Sequence, residues 1–258
     1  MAQTGSDRRR IAGPEESKPP IFLSDEQQLH TWKLGDPRQG RTALDVRPIF
    51  LQPGLIDQAN GSAYIEAERT KIACAIYGPR QSRNVPFHDK GKLNVEVKFA
   101  PFSCPQRRAP LRDAEDRSLA LAIYQALVPA VRLELLPKST IDVFINVIEA
   151  DGIDACIAAG TTAASTALAD AGIEMNGLVA SCSAAMVGNE VWLDLTEVES
   201  RSTTGTLVLS CLPALGTMTS VWQTGRMTTE ESFQCMDQCQ SRCTDIHTIV
   251  AQALRENA

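Results

Sequence analysis

The sequence lacks most of the short signatures that announce an enzyme. It has no Gly-Lys-Ser phosphate loop, no Gly-x-Gly-x-x-Gly and no Gly-x-Ser-x-Gly. Those absences remove the usual nucleotide-binding loops and the hydrolase nucleophile turn. Its three histidines, His30, His88 and His247, have no ligand spacing among them. It also lacks positive charge overall, with a formal net charge of −6 over 258 residues. A surface basic all round is excluded, but a local basic groove is not. No repeat of solenoid period occurs. Behind Arg8-Arg9-Arg10 there is no apolar core, so no secretory signal is expected. The longest uncharged run, Ser202 to Gly225, contains Thr, Ser, Pro213 and three glycines. It alternates, so it reads as two strands and a turn and not as a membrane span.

What is present is ordinary globular composition, 43% hydrophobic and 22% charged. Eight cysteines sit mostly inside apolar patterns and read as reduced, buried thiols. Cys235, Cys239 and Cys243 fall at i, i+4 and i+8, on one helix face. Tetrahedral zinc sites favour closer ligand pairs with a second pair elsewhere, so this triplet reads as a packing stripe.

The chain is organised around Arg47 to Arg80. Phe50 to Ile56 and Ser62 to Glu66 read as strands about the turn at Asp57 to Gly61, where Asn and Gly tolerate positive φ. Thr70 to Tyr77 is a further strand, expected to end at Gly78-Pro79 because proline cannot donate to a ladder. Leu93, Val95, Val97 and Phe99 alternate in the next strand. Asp113 to Asp116 cap a helix beginning near Arg117, whose apolar spacing continues to Val131 and which stops before Pro137. Ser139 to Glu149 alternates as a strand. Ile153 to Ala171 is a helix of Ala, Thr, Ser and Ile without a polar face, so it is expected between layers. Leu178 to Val187 and Glu190 to Leu195 form a hairpin, and Gly205 to Leu212 pairs with Gly216 to Thr224. Thr228 and Glu231 make a capping box that opens a final helix to about Arg255.

Several of these strings carry a resemblance. Gly61-Ser62-Ala63, Thr70 leading an apolar strand, Gly78-Pro79, Asp151-Gly152, Ala167 to Ile173 and Leu193-Asp194-Leu195 are similar to the RNase PH family. That family holds phosphate-dependent 3′→5′ exoribonucleases and their non-catalytic relatives in the RNA exosome ring. The segment Arg10-Ile11-Ala12-Gly13-Pro14-Glu15-Glu16-Ser17-Lys18-Pro19-Pro20 resembles the N-terminal arm of one kind of exosome ring subunit. The resemblance implies an α+β, RNase PH-like fold (ribosomal protein S5 domain 2-like) in one compact domain over residues 41–258, preceded by a flexible arm, residues 1–40.

Phosphorolysis must hold an attacking phosphate and neutralise charge on the transferred group. Active family members follow Leu-Asp-Leu with x-x-x-Glu-Asp and a second Asp six residues on. Here Leu193-Asp194-Leu195 and Glu199 match, but the two aspartates fall on Ser200 and Thr206. Neither can give negative charge to a metal at neutral pH. The resemblance also places a phosphate-binding Gly-Arg pair at the start of the helix near Arg117, where Glu115-Asp116 stand instead. It therefore implies no catalytic residues, no metal and no cofactor. Asp194, Glu197 and Glu199 remain either as recruited ligands or as structural and solvated charges.

Arg107, Arg108, Arg112 and Arg117 are the candidate RNA-binding residues, with Arg80 and Arg83 in an earlier loop. Arginines without aromatic neighbours suit sequence-independent contacts to phosphate. A solvated charged loop is the other reading. The resemblance implies a non-catalytic ring subunit of the eukaryotic exosome core. Its partners are then other RNase PH-like ring subunits, RNA-binding cap subunits, an associated exoribonuclease and RNA, without a membrane. It also implies a place in the nucleus, nucleolus and cytoplasm. Two rival readings stand beside it, an active phosphorolytic homohexamer using Asp194 or Glu199, and an RNA-binding module outside any ring.

Overall fold

Two sheets and a layer of helices between them build the domain. The computed structural model describes residues 38, 40–81, 88–104, 107–108, 116–188 and 190–257. Apart from residues 38 and 40, the expected N-terminal arm lies outside the described residues, as do Arg83 and Arg112.

The first sheet contains β1 (Phe50–Pro53), β2 (Gly61–Ala67), β3 (Thr70–Gln81), β4 (Lys92–Phe99) and β5 (Ser139–Glu149), in the order β1-β2-β3-β5-β4. Only β4 and β5 run parallel, because the helix α1 (Arg117–Leu127) carries the chain between them. The second sheet contains β6 (Ala180–Val187), β7 (Glu190–Leu193), β8 (Gly205–Leu212) and β9 (Thr217–Gly225), all antiparallel, in the order β7-β6-β8-β9.

Between the sheets lies α2 (Ile153–Asp170), packed on β2 and β3 from one side and on β6 and β8 from the other. This is the buried helix that its composition predicts. Small side chains let it fit, with Ala163, Ala164 and Ala167 wholly enclosed. Its buried threonine hydroxyls are satisfied within the helix, since Thr161, Thr162 and Thr166 donate to the carbonyls of Ile157, Ala158 and Thr162, while Ser165 Oγ accepts from Val179 N. Beside it, α1 packs on β4, α2 and β9. The core on the first sheet is made by the alternating residues Ile72, Cys74, Ile76, Ile141, Val143, Ile145 and Val147.

A second core lies on the outer face of the second sheet. There α4 (Thr229–Asn257) covers β6 and β8. Cys235, Cys239 and Cys243 are the buried stripe of that helix, and they pack with Cys182, Cys211, Leu193 and Leu209. The thiol of Cys239 meets Cys182 and that of Cys243 meets Cys211. Burial pushes Cys235 up to about 11, so its thiol is held protonated in this apolar layer. The capping box at the start of α4 forms as predicted, with Thr228 N donating to Glu231 and Glu231 N to Thr228.

Three elements differ from the sequence reading. Pairing of β3 does not end at Gly78-Pro79. A register shift between Tyr77 and Arg80 takes the proline out of the ladder, and Arg80 and Gln81 pair with Thr140 and Ser139 beyond it. The first helix ends at Leu127, short of the apolar spacing that continues to Val131. Pro129 has no N–H to continue it, and Leu133–Leu135 forms a separate 3-10 turn. A short helix, α3 (Glu197–Ser202), is additional; its Thr196 and Glu199 form a capping box.

Candidate functional site: a remnant acidic turn tied by arginines

The hairpin β6–β7 delivers the chain to Asp194 and then into α3. Asp194 has φ 49°, a left-handed conformation that Asp tolerates better than most residues. Its backbone N–H donates to Ser183 O at 2.8 Å. Its carboxylate is held by Arg47, whose backbone N–H, Nε and Nη2 donate to it at 2.9, 2.7 and 2.6 Å. Arg47 Nη1 reaches Asp151 Oδ2 at 2.8 Å, while Glu197 N donates to Asp151 Oδ1 at 3.1 Å. The Arg47 side chain is 1% exposed, so these are charge-assisted bonds shielded from water.

Two more arginines come from the segment before β1. Arg38 grips Glu199 with Nε to Oε1 and Nη2 to Oε2, both at 2.9 Å, and its guanidinium lies 4.8 Å from the centre of the Trp192 ring. Arg41 stands 3.4 Å from Asp194 Oδ2 and 3.5 Å from Glu199 Oε2. Three guanidinium groups thus face the carboxylates of Asp151, Asp194 and Glu199. Burial alone pushes Asp194 and Glu199 upward, but the bonds and charges from Arg47 for the first, and from Arg38, the Thr196 N–H and Arg41 for the second, leave both below the ordinary carboxylate value. Both acids are ionised and fully engaged, so neither is an open ligand of the kind a metal-dependent phosphorolysis needs.

Ser200 and Thr206 do come together in space. Ser200 Oγ donates to Asp154 Oδ2 at 3.4 Å, and Thr206 also bonds Asp154 while sharing a 2.6 Å hydroxyl contact with Thr224. Asp154 is in the first turn of α2, reached through Gly152, whose φ of 94° suits glycine. Burial raises its carboxyl above the ordinary value, partly opposed by the two hydroxyls. The cluster therefore holds one carboxylate of reluctant charge and two hydroxyls. The helix start that faces Ser200 and Thr206 is that of α2, not that of α1.

Arg117 opens α1 elsewhere, exposed, in a groove with Asn94, Glu96, Tyr124, Asp142 and Phe144. Asp116 caps that helix, accepting from Leu119 N. Arg107 is exposed. Arg108 is half-buried, its guanidinium 3.8 Å from the centre of the Phe99 ring. Arg80 lies in β3 and pairs with Asp142. Sequence reading missed the roles of Arg38, Arg41, Arg47 and Asp154. Asp154 had a visible signal, as an acid within an otherwise apolar and hydroxyl-rich helix start.

The chain is similar to known proteins in sequence and in fold. Residues 45–174 match the model of the 3′ exoribonuclease family, domain 1, RNase PH. The exosome complex component mtr3 of Schizosaccharomyces pombe is 36% identical over 253 residues, 96% of each chain. The human exosome complex component MTR3 is 36% identical over 244 residues, 88% of this chain and 86% of that one. The exosome complex component Rrp41 of Pyrococcus horikoshii is 37% identical over 219 residues, 84% and 87% of the two chains. Among solved structures, rice Rrp46 superposes with a TM-score of 0.74 at 21% identity, covering 84% of this chain and 98% of that one, a likeness of fold.

Proposed function

The chain belongs to the RNase PH family of 3′ exoribonucleases, and from that membership we propose that it is a structural, catalytically silent ring subunit of an RNA exosome core. The observation that carries this reading is the state of the acidic turn. Ser200 and Thr206, which the family pattern sets in the places of two aspartates, gather around Asp154 alone, while Asp194 and Glu199 are consumed by Arg47, Arg38 and Arg41. Likeness over most of the chain to the exosome complex components mtr3 of Schizosaccharomyces pombe and MTR3 of human supports the same place in an assembly.

In this role the chain contributes surface and not chemistry. It pairs with other RNase PH-like chains in a ring, beneath RNA-binding cap subunits, and RNA passes to an associated exoribonuclease. A ring of unlike chains uses heterologous interfaces, so each subunit presents two different faces. Arg107, Arg108, Arg112 and Arg117 serve as phosphate contacts along that path, in the nucleus, nucleolus and cytoplasm.

The test is phosphate-dependent release of nucleoside diphosphates from a 3′-labelled RNA by the folded chain, with Mg²⁺ or Mn²⁺. No release is expected. Phosphate-dependent release abolished by Asp154→Asn would overturn the reading.

A further inference from the structure

Two buried hydroxyls in this domain have no protein partner and share one cavity. Thr70 Oγ1 and Ser183 Oγ are each without a hydrogen bond, in residues 1% exposed. Both line a cavity of about 40 Å³ between the first sheet, α2 and the second sheet. Thr70 is the first residue of β3 and Ser183 lies within β6, so the pair spans the two sheets.

A buried hydroxyl without a partner loses its bonds to water and gains none in return. The cavity supplies a remedy. A water needs roughly 10–15 Å³ of space for its centre and two to four polar partners. The volume suffices for one molecule. Thr162 and Asp194 also line it. The Thr162 hydroxyl already donates to Ala158 O but keeps a lone pair free to accept. Arg47 and Ser181 also line it, the first already bonded to Asp194 and the second to Leu209 O, and the rest of the wall, with Ile49, Ile65, Ala155, Ala158 and Ile246, is apolar.

We propose that this cavity is a structural water site, in which one buried water bridges Thr70 Oγ1 and Ser183 Oγ and so links the two sheets beside the Arg47–Asp194 pair. Water is the occupant chosen by size and chemistry, since larger ligands exceed the volume and an ion lacks convergent charged ligands not already bonded. The inference also gives Thr70, singled out at the head of its strand in the sequence, a physical role.

Two measurements decide it together. In a crystal structure of the full chain or its complex at about 2 Å, density for an ordered water is expected within hydrogen-bond distance of both hydroxyls. In urea denaturation of the full chain, Thr70→Val is expected to lower the folding constant roughly ten-fold, because it deprives a bound water and Ser183 of a partner. Adding Ser183→Ala is then expected to cost less than it does alone. If the two hydroxyls were simply unsatisfied, Thr70→Val would leave the folding constant unchanged or raise it, and that result overturns the proposal. Absence of the density overturns it whatever the stabilities show.

Discussion

Arg47 and Asp194, 147 positions apart in the chain, meet through three hydrogen bonds of 2.6 to 2.9 Å in a setting closed to water. The bond fixes the segment leading into β1 against the turn that leads into α3. Removing one partner leaves a buried charge unpaired. Arg47→Met is expected to cost about 3–5 kcal/mol, with Asp194→Asn in the same direction. Urea denaturation of the single and double variants checks this. The double variant should cost less than the sum, because the two residues act on one another.

The acids of this region respond to pH with opposite signs. Asp194 and Glu199 are held low, so their stabilisation is present above the unfolded carboxylate values, about 4, and is lost as pH falls through their folded values. Asp154 is held high, so its contribution is complete below the unfolded value and is lost as pH rises through its folded value. Asp154→Asn is therefore expected to stabilise the chain at pH 7 and to lose that advantage towards pH 3. Urea midpoints across that range measure both effects. A gain equal at both ends would contradict the assignment of a raised carboxyl.

Restoring carboxylates beside Asp154 should recreate an acidic trio. The variant Ser200→Asp with Thr206→Asp is expected to be less stable than the natural chain in a chelator, since it buries like charges together. Millimolar Mg²⁺ or Mn²⁺ should raise its melting temperature more than that of the natural chain, because a cation that binds only the folded state stabilises it. Equal responses of the two proteins would show that the three positions do not converge as described.

Gly61 allows β2 to lie against the end of α2. A Cβ there would overlap the backbone N of Ala171 and the carbonyl of Ala167. Ser62 N also donates to Asp170 at 2.8 Å, fixing the same contact. Gly61→Ala is expected to cost about 1–3 kcal/mol as an overpacking change, measured by thermal or urea unfolding.

Much of the fold was legible because its elements state their own periods. The strand over Ser139–Glu149 and the apolar helix beginning at Ile153 show that most plainly. Their alternation and composition contain the decision about which face is buried. The end of α1 departs from its apolar spacing, which continues to Val131, because Pro129 has no N–H to extend the helix. The β3 strand outran its proline because a register shift is set by the partner strand, which sequence alone does not align. The positions that the family pattern assigns to Ser200 and Thr206 were readable from the Leu193-Asp194-Leu195 string. Their company was not. The helix start that faces Ser200 and Thr206 is that of α2, and the arginines that engage the neighbouring Asp194 and Glu199 come from positions 147 to 161 residues away. Such pairings are tertiary facts with no local pattern.

In the proposed ring this chain is one unlike subunit among several. Native mass spectrometry of the intact complex, purified gently through a tag on this chain, tests it most directly. One copy of the chain among different partners is the predicted composition. A complex of six identical copies would contradict it.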